Sequence, residues 1–209
     1  MCPQEAFELA QYLRPAIADE RVLAAIASIP RERFVPRGQR NRAYANVALP
    51  IGSDQTISQP LVVARMLEVL ALAPTDRVLD VGTGSGYHAA LLSLLADHVF
   101  TIERHAALTE TAREAIASLG IDNVTFRVGD GWNGWPEEAP FDAINVAAAM
   151  GDDPPRSLEA QLADGGRMVA PVGTKAQHLM LTTRAGDEVI RRQLEAVQFV
   201  PLVHDPQKQ

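Results

Sequence analysis

The stretch VLDVGTGSGY, residues 78–87, decides the fold of this chain. Its first four residues, 78–81, form a short apolar run typical of a buried strand, and Gly82, Gly84 and Gly86 alternate directly after it. A strand that ends in Gly-x-Gly-x-Gly can turn sharply into a helix and lets a ligand approach the backbone where side chains would collide. The stretch therefore predicts a strand, a tight turn and a helix, with or without a ligand at the turn.

Two phosphate-binding patterns do not fit this glycine turn. A Walker A loop needs Gly-Lys-Ser/Thr after the turn, where this chain has Gly86-Tyr87-His88. The dinucleotide fingerprint needs its third glycine at position 87, which is occupied by Tyr87. We therefore expect neither a phosphate cradle nor a nicotinamide oxidoreductase.

Apolar runs and helical patterns alternate after the glycine turn. Strands are predicted at 78–81, 99–102, 124–128, 143–146 and 168–172, and helices at 89–95, at 106–119 with Gly120 closing it, and at 155–162. This order predicts an α/β fold, a Rossmann-like doubly wound and mostly parallel sheet with helices on both faces. Segments 179–183 and 189–200 predict an antiparallel hairpin at the C-terminal edge.

The residues before the glycine turn predict a helical extension and a covering segment. Residues 4–29 have a helical pattern that contains a plausible cap at Asp19, and residues 31–54 are expected to be irregular because prolines and glycines recur in them. A further amphipathic helix begins at Pro60. We expect one domain over residues 1–209, in which 1–60 form a helical and lid extension and 61–209 form the cofactor-binding core with its hairpin.

Composition limits the function. The chain has 209 residues, of which 47% are hydrophobic and 22% charged, as in soluble globular proteins. Its 19 Lys and Arg residues against 26 Asp and Glu residues argue against nucleic acid as a partner. Cys2 is the single cysteine, and the chain has neither a secretory leader pattern nor a long apolar run, so we expect a cytoplasmic protein, not inserted in a membrane, with a monomer favoured. The tail from His204 to Gln209 is expected to be loose.

Two acids follow the next two predicted strands. Glu103 lies 21 residues beyond Gly82, where an acid commonly accepts the hydroxyls of a ribose, although a solvated acid at a strand end fits as well. Asp130 can bind an amino group on an adenine edge, or with Gly131 it can simply form a turn. Ribose and adenine pockets without a pyrophosphate site indicate a nucleoside joined to something other than phosphate. S-adenosylmethionine is the natural candidate.

Several motifs beyond the glycine turn resemble one group of enzymes. They are Leu49-Pro50-Ile51-Gly52, Gln55-Thr56-Ile57-Ser58-Gln59-Pro60, Gly129-Asp130-Gly131-Trp132, Ala139-Pro140-Phe141-Asp142-Ala143-Ile144, Gly165-Gly166, Pro171-Val172-Gly173 and Phe199-Val200-Pro201-Leu202. With the glycine turn they resemble the class I methyltransferases, and within these the protein-L-isoaspartate O-methyltransferase family, over most of the chain. The resemblance implies methyl transfer from S-adenosylmethionine to the free α-carboxylate of L-isoaspartyl residues in damaged peptides and proteins, the first step of their repair.

The resemblance also implies a set of site residues. It places the catalytic serine at Ser58. It places the cofactor contacts at Thr56, Ile57, Ser58, Asp80, Gly82, Thr83, Gly84, Gly86, Glu103, Asp130 and Gly131, and it implies no metal. Because the acceptor is a carboxylate that is ionised at pH 7 and the donor is an activated sulfonium, the reaction needs no general base. Ser58 is expected to bind the acceptor carboxylate, or alternatively to be only the N-cap of the helix that begins at Pro60.

Other side chains are expected to be structural. His88 and His178 lack ligand-type spacing, and Trp132 and Trp135 fit local packing. Two departures from the family pattern, Asp54 and the altered loop at 147–153, keep alternatives open. These are a methyltransferase of the same fold that acts on another carboxylate, in a specific peptide or a small molecule, and a non-catalytic protein that only binds S-adenosylmethionine.

Overall fold

The computed structural model of the chain describes residues 4–152 and 154–204. The expectations for Cys2, for Asp153 and for the tail from residue 205 onward lie outside the described residues. None of the described helices combines the length and the apolar character that crossing a membrane requires.

The described residues form six α-helices and nine strands. The helices are α1 (Gln4–Leu13), α2 (Glu20–Ser28), α3 (Pro60–Leu70), α4 (Tyr87–Ser93), α5 (Ala106–Ala117) and α6 (Arg156–Glu159). The strands are β1 (Leu49–Gly52), β2 (Gln55–Ile57), β3 (Arg77–Val81), β4 (His98–Glu103), β5 (Val124–Val128), β6 (Phe141–Val146), β7 (Leu162–Val172), β8 (Gln177–Ala185) and β9 (Glu188–Val197).

Seven strands form one sheet in the order β5-β4-β3-β6-β7-β8-β9. The strands β5, β4, β3, β6 and β7 are parallel to their neighbours, and β8 and β9 add an antiparallel hairpin at the edge. The predicted doubly wound sheet with an edge hairpin is confirmed. The chain passes from β3 to β4 on one side and returns to β6 on the other, so the glycine turn after β3 lies at the switch point where open α/β sheets bind ligands.

Hydrophobic clusters cover both faces of the sheet. On one face Val78, Val99 and Ala143 pack with the helices α1 to α4, and on the other face Leu79, Phe100 and Ile144 belong to a second cluster with Leu158 of α6. The alternation of side chains along each strand produces this division. The alternation therefore determines which strand side chains can contact the helix α4 beside the glycine turn.

The N-terminal extension is helical, and the structure divides it into two helices. The helix α1 ends at Leu13, and α2 begins at Glu20 after Asp19, whose carboxylate accepts from the Arg21 amide at 2.8 Å. Pro15 lies in the break, and a proline lacks the amide hydrogen that a continuous helix would use. The predicted cap at Asp19 is thus confirmed.

The segment expected to be irregular contains a two-stranded hairpin. The strands β1 and β2 pair with each other through Leu49↔Ile57 and Gly52↔Gln55. Ser53 and Asp54 connect them with φ angles of 51° and 56°. Positive φ at both positions is typical of a type I′ turn, which matches the twist of paired strands. This hairpin, residues 49–57, is called the lid below.

Two further expectations are corrected at the C-terminal side. The helix expected at 155–162 is the single turn α6, because β7 already begins at Leu162, opposite Phe141. His204, expected to lie in a loose tail, is held by side-chain contacts with Asp130 and Trp132.

Candidate active site

A cleft lies at the carboxyl ends of β3, β4 and β6, next to the glycine turn. It encloses about 800 Å³, and its walls come from the lid, the glycine turn, the end of β4, the loop after β6 and the segment Val200–Val203. The last segment is attached to the sheet because the Ala149 amide donates to the Val200 carbonyl at 2.8 Å and the Leu202 amide donates to the Ala149 carbonyl at 2.7 Å.

The glycine turn adopts backbone angles that only glycine takes without strain. Gly82, Gly84 and Gly86 have φ angles of 91°, 53° and 89°. At Gly86 a Cβ atom would lie 2.9 Å from the Cβ of Ala112 in α5, so this glycine is required by helix packing. Gly82 and Gly84 line the cleft, where their bare backbone leaves room for a ligand.

A row of polar side chains lies buried beneath the glycine turn. Thr101 and Asn145 are the register partners of Asp80 on the neighbouring strands, and none of the three is exposed to solvent. The Thr101 hydroxyl donates to Asp80 at 2.9 Å, the Asn145 amide donates to it at 2.7 Å, and Thr83 lies 2.6 Å from Thr101. Because Thr101 gives its only proton to Asp80, Thr83 must donate to Thr101. The row ties the turn to the sheet, and burial raises the pKa of Asp80 to about 6.

Glu103 at the end of β4 is a buried acid on the cleft wall, not a solvated one. Its two carboxylate oxygens accept from the amides of Gly84 at 2.9 Å and His105 at 3.0 Å. Each carboxylate oxygen has a second lone pair, so both can still accept from hydroxyl groups. The contact with Gly84 also fixes the distance between the acid and the glycine turn. A ribose contact therefore stays a sound prediction for this residue.

Asp130 lies at the rim of the cleft and is engaged by protein groups. One carboxylate oxygen accepts from the Trp132 amide at 2.9 Å and caps a short 3₁₀ helix, and the other lies 2.7 Å from Nδ1 of His204. The His204 ring stacks on Trp132 with centroids 5.2 Å apart. The turn role that the sequence left open is present, while a contact with adenine stays a prediction. Trp135 packs on Phe100, as expected for local packing.

Ser58 follows the lid and is not the cap of α3. The N-cap is Gln59, and the Leu61 amide donates to the side chain of Asn46 at 3.0 Å. Within the described residues the Ser58 hydroxyl makes no hydrogen bond, whereas the Ser58 carbonyl accepts from Arg31 at 2.7 Å. The alternative role as a simple helix cap is therefore wrong, and the hydroxyl is available to a ligand.

A second cavity meets the cleft at Ser58. It has about 1260 Å³ of space between the lid, the start of α3 and the segment Ala196–Val200. Thr56, Ser58, Ala147 and Val200 line both spaces. Two ligands, one in the cleft and one in the second cavity, would therefore contact each other beside these four residues. Asp54 lines neither space, since it is an exposed residue of the lid turn.

Two buried residues at the start of α4 complete the floor of the cleft. Tyr87 and His88 both line it. Burial raises the pKa of Tyr87 to about 12, and burial together with the nearby Arg31 charge lowers the pKa of His88 to about 4. Both side chains are thus neutral at pH 7. His88 is buried and not solvated, so of the two roles expected for it the structural one stays a prediction.

The structure brings most of the expected site residues together. Eight line the cleft: Thr56, Ile57, Ser58, Gly82, Thr83, Gly84, Glu103 and Gly131. Asp80, Gly86 and Asp130 do not, since they lie beneath the turn, against α5 and at the rim, respectively. Arg31 and the role of Val200–Val203 were missed, although the resemblance had already singled out Phe199-Val200-Pro201-Leu202 as a motif. No cluster of metal-ligating side chains is found within residues 4–152 and 154–204.

Comparison with known proteins identifies the family of this chain. Residues 6–207 match the family model of protein-L-isoaspartate(D-aspartate) O-methyltransferase. The protein-L-isoaspartate O-methyltransferase of Serratia proteamaculans is 52% identical over 195 residues, which cover 93% of either chain. A solved protein-L-isoaspartate O-methyltransferase has a TM-score of 0.87 at 29% identity, over 94% of this chain and 65% of that one.

A second solved structure carries a ligand. It is a protein-L-isoaspartate O-methyltransferase from Plasmodium falciparum in complex with S-adenosyl-L-homocysteine, with a TM-score of 0.84 at 26% identity over 96% of this chain and 99% of that one. The family match and the 52% identity both extend over more than nine tenths of the chain. The chain belongs to the protein-L-isoaspartate(D-aspartate) O-methyltransferase family.

Proposed function

We propose that this chain transfers a methyl group from S-adenosylmethionine to the free α-carboxylate of an L-isoaspartyl residue in a damaged peptide or protein. The observation that carries the proposal is the position of Ser58, which lines both the cleft and the second cavity and whose hydroxyl bonds to none of the described residues. The cofactor belongs in the cleft beside the glycine turn, and the peptide belongs in the second cavity. The reacting atoms then meet at Ser58.

The cleft fits the cofactor. Bare glycine backbone borders it at Gly82 and Gly84, Glu103 retains lone pairs for ribose hydroxyls, and Gly131 is buried at the expected adenine end. A Cβ atom at Gly131 would lie 2.5 Å from Val81, so this backbone position is fixed. Asp80 acts one layer below, by holding the turn. S-adenosylmethionine, when bound, supplies a methyl group activated by a positively charged sulfur.

The protein positions the acceptor and does not activate it. A carboxylate with a pKa near 4 is ionised at pH 7, so no residue has to remove a proton. Ser58 donates a hydrogen bond to one carboxylate oxygen and orients it, Thr56 and Gln55 cover it from the lid, and Val200 and Ala147 exclude water. Holding the partners in line and removing water from the nucleophile are together worth several orders of magnitude in rate.

A peptide assay tests the reaction. The purified chain, S-adenosylmethionine and an isoaspartyl peptide are incubated beside the same peptide with a normal aspartyl residue. Methyl ester on the isoaspartyl peptide alone is the expected result. Binding of the cofactor without ester on either peptide would contradict the proposed reaction, and so would equal ester on both.

A pair of variants tests the role of Ser58. Ser58→Ala is expected to lower kcat/KM by about 10- to 100-fold, the loss of a hydrogen bond to a charged group, and to leave the melting temperature unchanged. Asn46→Ala is the matched control, because it removes the side chain that accepts from the Leu61 amide in the first turn of α3 and is expected to cost about 1 kcal/mol of stability. A lower melting temperature with normal turnover in Ser58→Ala would show that the serine is structural.

The organisation of the chain remains part of the proposal. Residues 1–209 act as one domain, with 1–60 as the lid extension and 61–209 as the cofactor-binding core, which is supported by the packing of α1 and α2 into the same hydrophobic cluster as α3 and α4. We also propose a cytoplasmic monomer that acts on polypeptides and does not bind nucleic acid. Its formal charge of -7 supports the last point.

A further inference from the structure

We infer that Arg31 is the buried countercharge for a carboxylate bound beside Ser58. The inference rests on the proposed function, since it assigns a new positioning residue to the same site. Arg31 precedes the lid by 18 positions, and it does not line the cleft. Its role follows from its contacts, its burial and the absence of a balancing charge.

The guanidinium of Arg31 is bonded to backbone and not to carboxylates. Its Nε donates to the Ala43 carbonyl at 2.8 Å and one terminal nitrogen donates to the Ser58 carbonyl at 2.7 Å. The group also lies over the Tyr87 ring, 4.8 Å from its centroid. The other terminal nitrogen has no hydrogen-bond partner among the described residues. Arg31 thus joins Ser58 to the floor of the cleft.

This charge is fully buried and is not neutralised by the protein. Arg31 has no exposed surface, and burial lowers the pKa of its guanidinium, yet arginine remains charged in proteins. Within residues 4–152 and 154–204 it forms no ion pair, and the neighbouring acid Glu32 is bonded to the Tyr44 hydroxyl. A buried unpaired charge is costly, so proteins place one where a ligand of opposite sign completes the pair.

Polar atoms without partners surround this charge on the side of the cleft. The Tyr87 hydroxyl and Nε2 of His88 are buried and also lack hydrogen-bond partners among the described residues. Both residues line the cleft, and both are neutral at pH 7. The Arg31 charge thus lies directly behind these two neutral side chains, next to the Ser58 backbone, and it favours an anion near Ser58.

Two carboxylates can supply that anion. One is the α-carboxylate of the acceptor residue, and the other is the carboxylate of the amino-acid end of the cofactor. The chemistry is the same for both, so separate binding experiments identify the source.

The first arm measures the acceptor. An isoaspartyl peptide and its analogue with a carboxamide in place of the α-carboxylate are titrated into the enzyme with S-adenosylhomocysteine. The second arm measures the cofactor, as the affinity for S-adenosylhomocysteine relative to its analogue with a carboxamide in place of the carboxylate. We expect Arg31→Met to reduce the preference for the carboxylate form by about 10- to 30-fold in one arm. Coulomb's law gives this factor for two unit charges roughly 8–12 Å apart at an effective dielectric constant near 20.

Two further variants isolate the charge. Arg31→Lys keeps the charge but cannot reproduce the two backbone contacts and the stacking together, so it is expected to retain more of the carboxylate preference than Arg31→Met does. Arg77→Met is the matched control. Arg77 also lies over an aromatic ring, 4.7 Å from the centroid of Phe100, and donates to a carbonyl at 2.8 Å. Unlike Arg31, it forms an ion pair with Glu138, and it lies at the end of β3 away from the glycine turn. Its carboxylate preference should equal that of the unmodified enzyme.

The outcomes separate the inference from the proposed function. An unchanged preference in both arms for Arg31→Met, or a preference lost in a folded Arg31→Lys, would overturn the role of Arg31, and the lysine variant decides the question if the methionine variant does not fold. A purely structural role would weaken acid and neutral ligands alike. If the unmodified enzyme failed to methylate isoaspartyl peptides, the proposed function would fall, while the second arm would still test Arg31.

Discussion

Replacing Gly86 by alanine should destabilise the enzyme by forcing the glycine turn away from α5. The new Cβ would lie 2.9 Å from the Cβ of Ala112 and 3.3 Å from both the Cα of Ala112 and the Cδ1 of Ile116, at a φ of +89°. The backbone angle costs about 1–2 kcal/mol for any residue with a Cβ, and crowding in a packed core costs about 1–3 kcal/mol. We expect a loss of about 3 kcal/mol, or roughly 6–12 °C in Tm for a chain of this size.

Urea unfolding followed by circular dichroism measures this loss, and Gly120→Ala provides the control. Gly120 has a φ of +73° with nothing within 4 Å of the added Cβ, so it reports the backbone cost alone, about 1–2 kcal/mol. Ala112→Gly removes the closest contact and should recover about 1–2 kcal/mol in the double variant. If Gly86→Ala costs no more than Gly120→Ala, or if the two substitutions at the contact are additive, the steric explanation is refuted.

Two further predictions concern acids whose roles differ. Burial raises the pKa of Asp80 from 3.8 to about 6, so the folded state binds a proton at this carboxyl more tightly than the unfolded state does. The contribution of Asp80 to stability is therefore complete below pH 3.8 and is lost as the pH rises through 6. The free energy of unfolding of the enzyme relative to Asp80→Asn should therefore fall by up to about 3 kcal/mol between pH 4 and 7 in urea titrations, and parallel curves would contradict this. Asp54→Gly should stabilise the lid turn by about 0.5–1 kcal/mol, because glycine adopts a positive φ without strain. Its KM for an isoaspartyl peptide should be unchanged, and a several-fold lower KM would show that the Asp54 charge repels the substrate.

The core of the fold could be predicted because the local strand and turn patterns agree with the strand order of a doubly wound sheet. The apolar run 78–81 is buried on both faces, and the glycines after it leave few choices of backbone. Once β3 and β4 are parallel neighbours, Asp80 and Thr101 must lie side by side, and Glu103 must reach the glycine turn. The cofactor cleft at the switch point followed from strand order alone.

Other features depend on contacts between distant parts of the chain. Five arginines lie between positions 31 and 42, and the sequence gives no reason to distinguish them, yet only Arg31 of this group is buried while the rest are exposed. The partner of Asp130 is His204, 74 positions away, in a segment whose polarity suggested a loose tail. The lid hairpin was overlooked because its turn uses serine and aspartate at positive φ, where asparagine and glycine are the usual signal.

The lid pairs only with itself among the described strands and forms no ladder with the seven-stranded sheet. A displacement of the turn of the hairpin therefore leaves every hydrogen bond of the main sheet intact, while Leu49 and Ile57 at its base are buried in the hydrophobic cluster that contains α1 to α4. The hairpin also contributes Thr56 and Ile57 to the wall of the cleft, so a bulky client that pushes it aside opens the cleft while the glycine turn and the sheet stay in place. Its turn residues Ser53 and Asp54 line neither space, so substitutions there can change how clients approach and leave the cleft lining as it is.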